Sequence, residues 1–261
     1  MSSRSVQAAG ELFPAVVSTP AVQSLRQRLE QGGALSLSRV ATPAQPFFAV
    51  LLRHLFPERP IVVVTSGLKV QEIMHQDIQT WLEIHSSQKP AEDRTSNTEN
   101  CFYPAWEIFP HEPKLPHVDV ISDRLQVLVT LSKQKPGQRA PMIVTSVSAL
   151  LQKTFRAGEI ERRTRSLSRG DRMDPLDLIE WLEDQGYEPE AQVTQKGDIS
   201  LRGGILDLWP LTSPWPVRLE FFGDELDSLR FFDPITQIST EEIQSVTVPP
   251  GGELGLLKRS V

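Results

Sequence analysis

The spacing of apolar residues along the chain changes character near residue 160. Before that point, segments with apolar residues at helical spacing alternate with short runs of β-branched residues. The predicted helices are 20–31, 47–56, 70–84 and a segment that begins near Asp119. The predicted strands, 61–64 and 142–146, have the continuous apolar composition of buried parallel strands. This alternation of strand and helix predicts an open α/β sheet.

After residue 160, helix and strand no longer alternate in the same way. A helix is predicted over 174–185, with Asp174 as its N-cap, Pro175 at its first position and Gly186 after its end. A strand-rich stretch follows from 197 to 233, and a last strand is predicted at 245–248. We therefore place a domain boundary near residue 160.

The segment 217–222 alternates between two kinds of side chain, as a half-buried strand does. One side carries Val217, Leu219 and Phe221, and the other carries Arg218, Glu220 and Phe222. Phe222 is the exception, because an aromatic ring shares the charged side. An aromatic ring beside an arginine on an open sheet is typical of a protein-binding site. The alternative is that another layer of the same protein covers Phe222.

Composition restricts the function classes. The 261 residues are 39% hydrophobic and 23% charged, with a formal net charge of -6, which argues against DNA binding by charge alone. Cys101 is the only cysteine, so a disulfide framework and a thiolate metal cluster are excluded. No apolar run is long enough for a signal peptide or a membrane span, and we expect a cytoplasmic protein without a membrane partner.

A basic run lies between residues 153 and 172. It contains Lys153, Arg156, Arg162, Arg163, Arg165, Arg169 and Arg172, interrupted by Glu159, Glu161 and Asp171. Such a run is explained either by a solvated face or by a patch that binds nucleic acid or a protein partner.

The segment 35–42 occupies the place where an α/β nucleotide-binding domain holds phosphate. A phosphate-binding loop needs glycines for close backbone approach, a lysine for charge and a hydroxyl for magnesium. The sequence here is LSLSRVAT, which has neither the glycines nor the Gly-Lys-Ser/Thr ending. Arg39 is more simply a solvated side chain than a phosphate ligand. We predict no ATP hydrolysis by this segment, no catalytic residue and no cofactor.

A metal site is equally unsupported by the spacing of candidate ligands. His111 and His117, with Glu112 and Asp119, lie in a proline-rich segment without the helical spacing that would bring them together. No Gly-x-Ser-x-Gly turn is present, and Cys101 is most simply a structural residue. We predict no metal site.

Several long strings resemble one protein family, the bacterial transcription-repair coupling factor. They are FYPAWEIFPHEPKLPHVDVISDRLQVLVTL, APMIVTSVSALLQK, RGGILDLWP and VRLEFFGDELDSLRFFD, and the resemblance extends over about 32–248. The excision-repair helicase UvrB shares part of this pattern but keeps an intact phosphate-binding loop. The degenerate segment 35–42 therefore favours the coupling factor.

The resemblance implies a fold and a domain division. It implies a degenerate helicase-like (P-loop NTPase-like) parallel-sheet domain, 1a, at 1–163. A smaller inserted α/β domain, 2, is expected at 164–249, with the start of domain 1b at 250–261. In the family this module mimics UvrB and recruits UvrA in nucleotide excision repair. The ATP-driven translocase and the domain that binds RNA polymerase lie further along the parent protein, which also binds double-stranded DNA.

Three partner-binding residues follow from the resemblance by motif. They are Arg202 in LRGG, Arg218 in PVRLEFF, and Phe222 as the second Phe of that string. We expect both arginines to meet acidic groups of UvrA and Phe222 to fill an apolar notch between them. Alternation does not fix the side on which Arg202 lies, because the following glycine pair can reset the parity.

Two other functions remain open at this point. One is an ATP-hydrolysing helicase fragment like UvrB, and the other is a DNA-binding module that uses the basic run.

Some relatives in the UvrB branch carry arginines where this chain has Pro189 and Ser200, so the interface with UvrA is expected to be weaker or differently distributed.

Overall fold

The computed structural model describes residues 12–86, 100–108, 116–156, 158–253 and 256. The helices are α1 (12–17), α2 (Pro20–Gln31), α3 (Gln45–Leu55), α4 (Leu68–Ser86), α5 (Val118–Ser132), α6 (Val147–Leu150), α7 (Glu159–Arg162) and α8 (Pro175–Asp184). A short 3-10 helix, Thr42–Ala44, precedes α3. The strands are β1 (Ile61–Thr65), β2 (Asn100–Tyr103), β3 (Met142–Ser146), β4 (Arg165–Ser168), β5 (Glu188–Pro189), β6 (Asp198–Arg202), β7 (Ile205–Leu208), β8 (Val217–Phe222), β9 (Glu225–Phe232), β10 (Ser239–Glu242) and β11 (Ser245–Val248).

The described chain forms two compact units. The first comprises 1–103 and 134–150, and the second comprises 104–133 and 151–261. The predicted loop at 86–100 falls almost entirely outside the described residues, as does most of the predicted start of domain 1b. The predicted boundaries at 163 and 249 stay predictions.

The first unit contains a parallel sheet with the strand order β1-β3-β2. Met142 of the central strand lies level with Ile61 on one side and Asn100 on the other. Apolar residues of α3 and α4, including Val50 and Ile78, form one core cluster with Met142 and Val144 of β3. The predicted parallel sheet is confirmed.

Strand β1 departs from the prediction of a buried strand. Val62 and Val64 are each about half exposed, whereas all five residues of β3 are buried. Position at the edge of the sheet is not the reason, because the other edge strand, β2, is largely buried. The two valines are two residues apart and therefore lie on the same face of β1, which the described residues cover only in part. An apolar run therefore identified the strand correctly but gave its burial wrongly.

The second unit is built around a six-stranded sheet with the order β10-β9-β8-β7-β6-β5. All neighbours are antiparallel except β5 and β6. Leu178 and Leu182 of α8 share a core cluster with Leu206 and Leu219 of the sheet. Strands β4 and β11 pair separately as an antiparallel ribbon. The chain is thus a mixed α/β protein with one parallel sheet and further sheets, and the helicase-like assignment stays a prediction.

Local capping explains where α8 begins and ends. The Asp174 side chain accepts a hydrogen bond from the Leu176 N–H at 2.8 Å, and Pro175 occupies the first turn, where no intrahelical N–H bond is required. The helix ends at Asp184, and Gly186 follows with φ of 89°. The predicted helix is confirmed. None of the helices in the described part of the chain is long and apolar enough to cross a bilayer.

Helix α5 belongs to the second unit. Its Leu125 and Val129 share a core cluster with Phe155, Ile160 and Leu211. The buried side chain of Ser122 donates a hydrogen bond to the carbonyl of Leu211, which precedes β8. The helix is therefore joined to the strand-rich part of the chain by both apolar and polar contacts.

Candidate partner-binding face

The six-stranded sheet has one apolar and one charged face. Residues directly opposite each other on paired strands point to the same side of a sheet. Leu206, Leu219 and Leu229 are mutually opposite and lie in the core that α8 covers. The other side, called the charged face below, is formed by Ser200, Arg202, Ile205, Asp207, Arg218, Glu220, Phe222, Ser228 and Arg230.

Phe222 lies at the end of β8 and projects from the charged face. Its relative exposure is 85%, so no other layer of the described chain covers the ring. The strand ends there because Gly223, with φ of 65°, opens the turn into β9. Phe221, the preceding residue, packs against the apolar core. The alternation along this strand is therefore maintained to its last residue.

Arg202 lies on the same side of the sheet as Phe222. The turn between β6 and β7 consists of Gly203, with φ of 63°, and Gly204. Arg202 pairs with Ile205, which in turn lies opposite Glu220 on β8. Because directly paired residues share a face, the glycine pair forms a hairpin turn without moving Arg202 to the core side.

The two arginines converge on Asp207, which is buried at the middle of β7. Nε and Nη2 of Arg218 donate to the two oxygens of its carboxylate at 2.7 and 2.9 Å. Nη2 of Arg202 donates to the same carboxylate at 3.3 Å. The side chain of Arg218 is 17% exposed and that of Arg202 is 56% exposed. The two guanidinium groups are therefore not equivalent.

The remaining contacts of Arg218 are also within the unit. Its Nη1 donates to the carbonyl of Gln237 at 3.2 Å and to Oγ of Ser239 at 3.3 Å, and its guanidinium lies 4.8 Å from the ring centre of Phe232. Hydrogen bonds to Asp207 raise the pKa of Arg218 further above its ordinary value. The two-point recognition expected for a partner's acidic group is made here with Asp207, a residue that the motifs did not single out.

Acidic groups border the exposed ring. Glu220 accepts a hydrogen bond from Oγ of Ser228 at 2.7 Å and lies 4.0 Å from Arg230. Glu225, which lies opposite Phe222 on β9, pairs with Arg172 at 3.1 Å. Glu220 and Glu225 therefore have cationic partners within the unit, and Arg202 is the more exposed of the two arginines that contact Asp207.

The segment 35–42 does not have the setting of a phosphate-binding loop. Residues 34–41 form neither helix nor strand, so no strand leads directly into this segment. Arg39 is exposed, with φ of 68°. The geometry therefore adds no support to the nucleotide-binding alternative.

Three of the seven basic side chains in the run form ion pairs with carboxylates of the described residues. Within the described residues, Arg163 contacts Glu159 at 3.3 Å and Arg169 contacts Glu242 at 3.1 Å. Arg165 lies over the ring of Trp181 at 4.3 Å. This pairing favours the solvated-face explanation over a nucleic-acid patch, because part of the positive charge is compensated locally.

Two residues considered above for chemistry, Cys101 and His117, have structural roles. Cys101 is buried in β2, and burial raises the pKa of its thiol to about 11. Nδ1 of His117 accepts a hydrogen bond from the Asp119 N–H at 3.3 Å, at the beginning of α5. His111 and Glu112 lie outside the described residues. The prediction that this segment holds no metal site therefore stays a prediction.

Comparison with known proteins agrees with the strings quoted above. Residues 166–253 match the model of the UvrB interaction domain. The resemblance to transcription-repair coupling factors is confirmed. The chain is 35% identical to the factor of Haemophilus influenzae over 158 residues, which are 60% of this chain and 13% of that protein. It is 33% identical to the Escherichia coli factor over 156 residues and to the Bacillus subtilis factor over 175 residues, covering 60% and 66% of this chain and 13% and 14% of those proteins.

The chain spans about one seventh of the length of these coupling factors. The matched interaction domain contains Arg202, Arg218 and Phe222, together with all six strands of the larger sheet. The charged face therefore lies within the part of the chain that resembles an interaction domain.

Proposed function

We propose that this chain is a non-catalytic, UvrB-mimicking module of a transcription-repair coupling factor and that its charged face binds UvrA. The observation that carries the proposal is the exposed ring of Phe222 on the same sheet face as Arg202, within residues 166–253. Binding sites of this kind combine an aromatic anchor with an arginine.

Phe222 supplies the apolar part of the interaction. The ring contributes little to the fold of its own unit, since most of its surface is in contact with solvent. Burying a phenylalanine side chain in an apolar notch of a partner is worth about 2–3 kcal/mol. That amount is comparable to the binding energy lost when a hot-spot residue is truncated to alanine.

The two arginines have different roles in this proposal. Arg202 contacts the partner, because it is more than half exposed and contacts Asp207 through one nitrogen. Arg218 acts as a positioning residue, because its fork holds the carboxylate that Arg202 also contacts. An acidic group of UvrA beside an apolar notch would complement Arg202 and Phe222.

For the parent protein we propose recruitment of UvrA to stalled transcription complexes. The support is the similarity to proteins named transcription-repair coupling factors. We further propose that ATP-driven translocation, RNA polymerase binding and contact with double-stranded DNA belong to other parts of that protein, because the 261 residues contain no intact phosphate-binding motif.

The proposal is tested by isothermal titration of the 261-residue chain with purified UvrA from the same organism. We expect saturable binding that Arg202→Glu weakens at least tenfold. Arg28→Glu, a charge reversal on the exposed surface of α2 and outside residues 166–253, serves as the matched control and should leave the affinity unchanged. Absence of binding by the unmodified chain, or equal effects of the two reversals, would overturn the proposal.

A further inference from the structure

The turn between β9 and β10 is held by its own hydrogen bonds. Oδ1 of Asp233 accepts from the N–H groups of Ile235 and Thr236, both at 2.8 Å. The N–H of Asp233 donates to the carbonyl of Ile238 at 3.0 Å, and the N–H of Gln237 donates to the carbonyl of Asp233 at 2.8 Å. The turn 233–238 therefore has a defined backbone.

Gln237 joins this turn to the rest of the unit. Its side-chain Nε2 donates to the carbonyls of Pro234 and Val193 at 2.8 and 3.3 Å. Its own carbonyl accepts from Nη1 of Arg218 at 3.2 Å. A non-glycine residue with φ of 60°, as Gln237 has, is strained and persists where such contacts hold it.

Two isoleucines on this turn are exposed to solvent. Ile235 is 88% and Ile238 is 65% exposed. Turns are normally formed by polar residues, glycine and proline. A single exposed aliphatic side chain is ordinary. Two of them on a turn with a defined backbone offer apolar surface to a partner, and the chain loses little backbone entropy when that partner binds.

The turn is continuous with the charged face through Arg218. Phe222 is four residues further along β8, a distance of about 13 Å. Ile235 is two residues from Gln237, so its backbone lies within about 7 Å of the residue that contacts Arg218. A protein partner covers about 800 Å², a disc of about 16 Å radius. A partner centred on Arg218 would therefore reach both Phe222 and the turn.

We propose that Ile235 and Ile238 form a second apolar contact with the protein that binds the charged face. This inference rests on the proposed function, and the occupant is an uncharged apolar groove of UvrA next to the notch that receives Phe222. The partner would then be held at two apolar points on either side of Arg218.

The inference is tested by calorimetric titration of UvrA into the chain carrying Ile235→Ser and Ile238→Ser. Thermal unfolding should be unchanged, because both side chains are exposed. We expect at least tenfold weaker binding. Leu176→Ser is the matched control, since Leu176 is an exposed leucine on α8, which packs on the opposite face of the sheet, and it should leave the affinity unchanged. A single Ile235→Lys variant repeats the test should the double variant melt at a lower temperature.

The outcomes separate this inference from the proposed function. Affinity of the double-serine variant within twofold of the unmodified chain, with Arg202→Glu weakened, would overturn the second contact alone. Weaker binding by the double-serine variant with no effect of Arg202→Glu would support the isoleucine contact and remove Arg202 from the interface. Absence of binding by the unmodified chain would overturn both.

Discussion

Asp207 and Arg218 form a two-point ion pair in which Nε and Nη2 of the arginine lie 2.7 and 2.9 Å from the carboxylate oxygens. Asp207 is buried, so removing Arg218 leaves a buried carboxylate with only the longer contact to Arg202. We expect Arg218→Ala to lower the free energy of unfolding by about 3 kcal/mol, as loss of one partner of a buried pair does. Urea unfolding followed by circular dichroism measures this change.

Arg202→Ala is the comparison for that experiment. Its side chain is largely exposed and shares Asp207 through one nitrogen, so we expect a loss below about 1 kcal/mol. Equal destabilisation by the two substitutions would contradict the division between a positioning and a contacting arginine.

The sequence predicted the positions of helices and strands better than it predicted the burial of their residues. The helix after Asp174 was predictable because capping and proline signals act within a few residues. The exposure of Val62 and Val64 was not, because an apolar run does not reveal whether both faces of its strand are covered. Strand β2 was also missed, since its four residues carry little periodic signal.

The functional site was predictable only in part, because local patterns give the face of a strand on which a residue lies but not the register between strands. Alternation placed Arg218 and Phe222 on one face, and the structure agrees. Asp207 was missed because its position opposite Arg218 depends on the register between β7 and β8, which is set by the long connection between them. The side of the sheet on which Arg202 lies likewise depended on the geometry of the glycine turn.

Gly251 is packed against the backbone of the turn that follows α8. A Cβ atom at this position would lie 2.7 Å from the carbonyl carbon of Gly186 and 2.8 Å from the Tyr187 nitrogen. Backbone atoms cannot move aside as a flexible side chain can, so we expect Gly251→Ala to destabilise the chain by about 2 kcal/mol. Differential scanning calorimetry measures the shift in the unfolding midpoint.

Gly252→Ala provides the matched control for that substitution. A Cβ atom there meets nothing within 4 Å, and its φ lies outside the left-handed region. We expect an unchanged or slightly raised midpoint, because alanine restricts the unfolded chain. A similar loss of stability in both variants would show that the close approach at Gly251 is unimportant.

Arg124 of α5 and Glu253 form a fully buried ion pair in the second unit. Nε and Nη2 of the arginine lie 2.7 and 3.1 Å from the carboxylate oxygens, and the guanidinium lies 4.5 Å from the ring centre of Trp106. We expect Glu253→Ala to lower the free energy of unfolding by about 3–5 kcal/mol, because a buried charge loses its counter-charge.

A double-mutant cycle checks this interpretation. Chemical unfolding of Arg124→Met, Glu253→Met and the variant with both changes gives the coupling energy. The doubly substituted chain should recover part of the stability that Glu253→Met loses, since no uncompensated charge remains. Strictly additive losses would indicate that the two side chains do not stabilise each other.

The raised pKa of Asp123 makes the stability of the chain depend on pH. Burial raises its pKa from 3.8 to about 6, with Lys196 acting in the opposite direction and Asp119 in the same direction. The folded state therefore binds this proton more tightly than the unfolded state, and the stabilisation present below pH 3.8 is lost as the pH rises to about 6. Above that range the ionised carboxylate is a net cost to the fold.

Asp123→Asn should remove this cost. The side chain is partly exposed, so screening reduces the gain to about 1 kcal/mol, or about 2–4 °C in the unfolding midpoint at pH 7.5. The gain should shrink as the pH is lowered towards 4. Asp227→Asn, at an exposed position of β9, is the control and should show no such trend. A gain that is independent of pH would contradict the role of burial.

The central claim is that the ring of Phe222 anchors UvrA on the charged face. The most direct measurement is the dissociation constant for UvrA of the unmodified chain, Phe222→Ala and the control Leu176→Ala. We predict that Phe222→Ala binds about 30-fold more weakly, equivalent to about 2 kcal/mol, with an unchanged unfolding midpoint, and that Leu176→Ala binds normally. Unchanged affinity of Phe222→Ala would contradict the account.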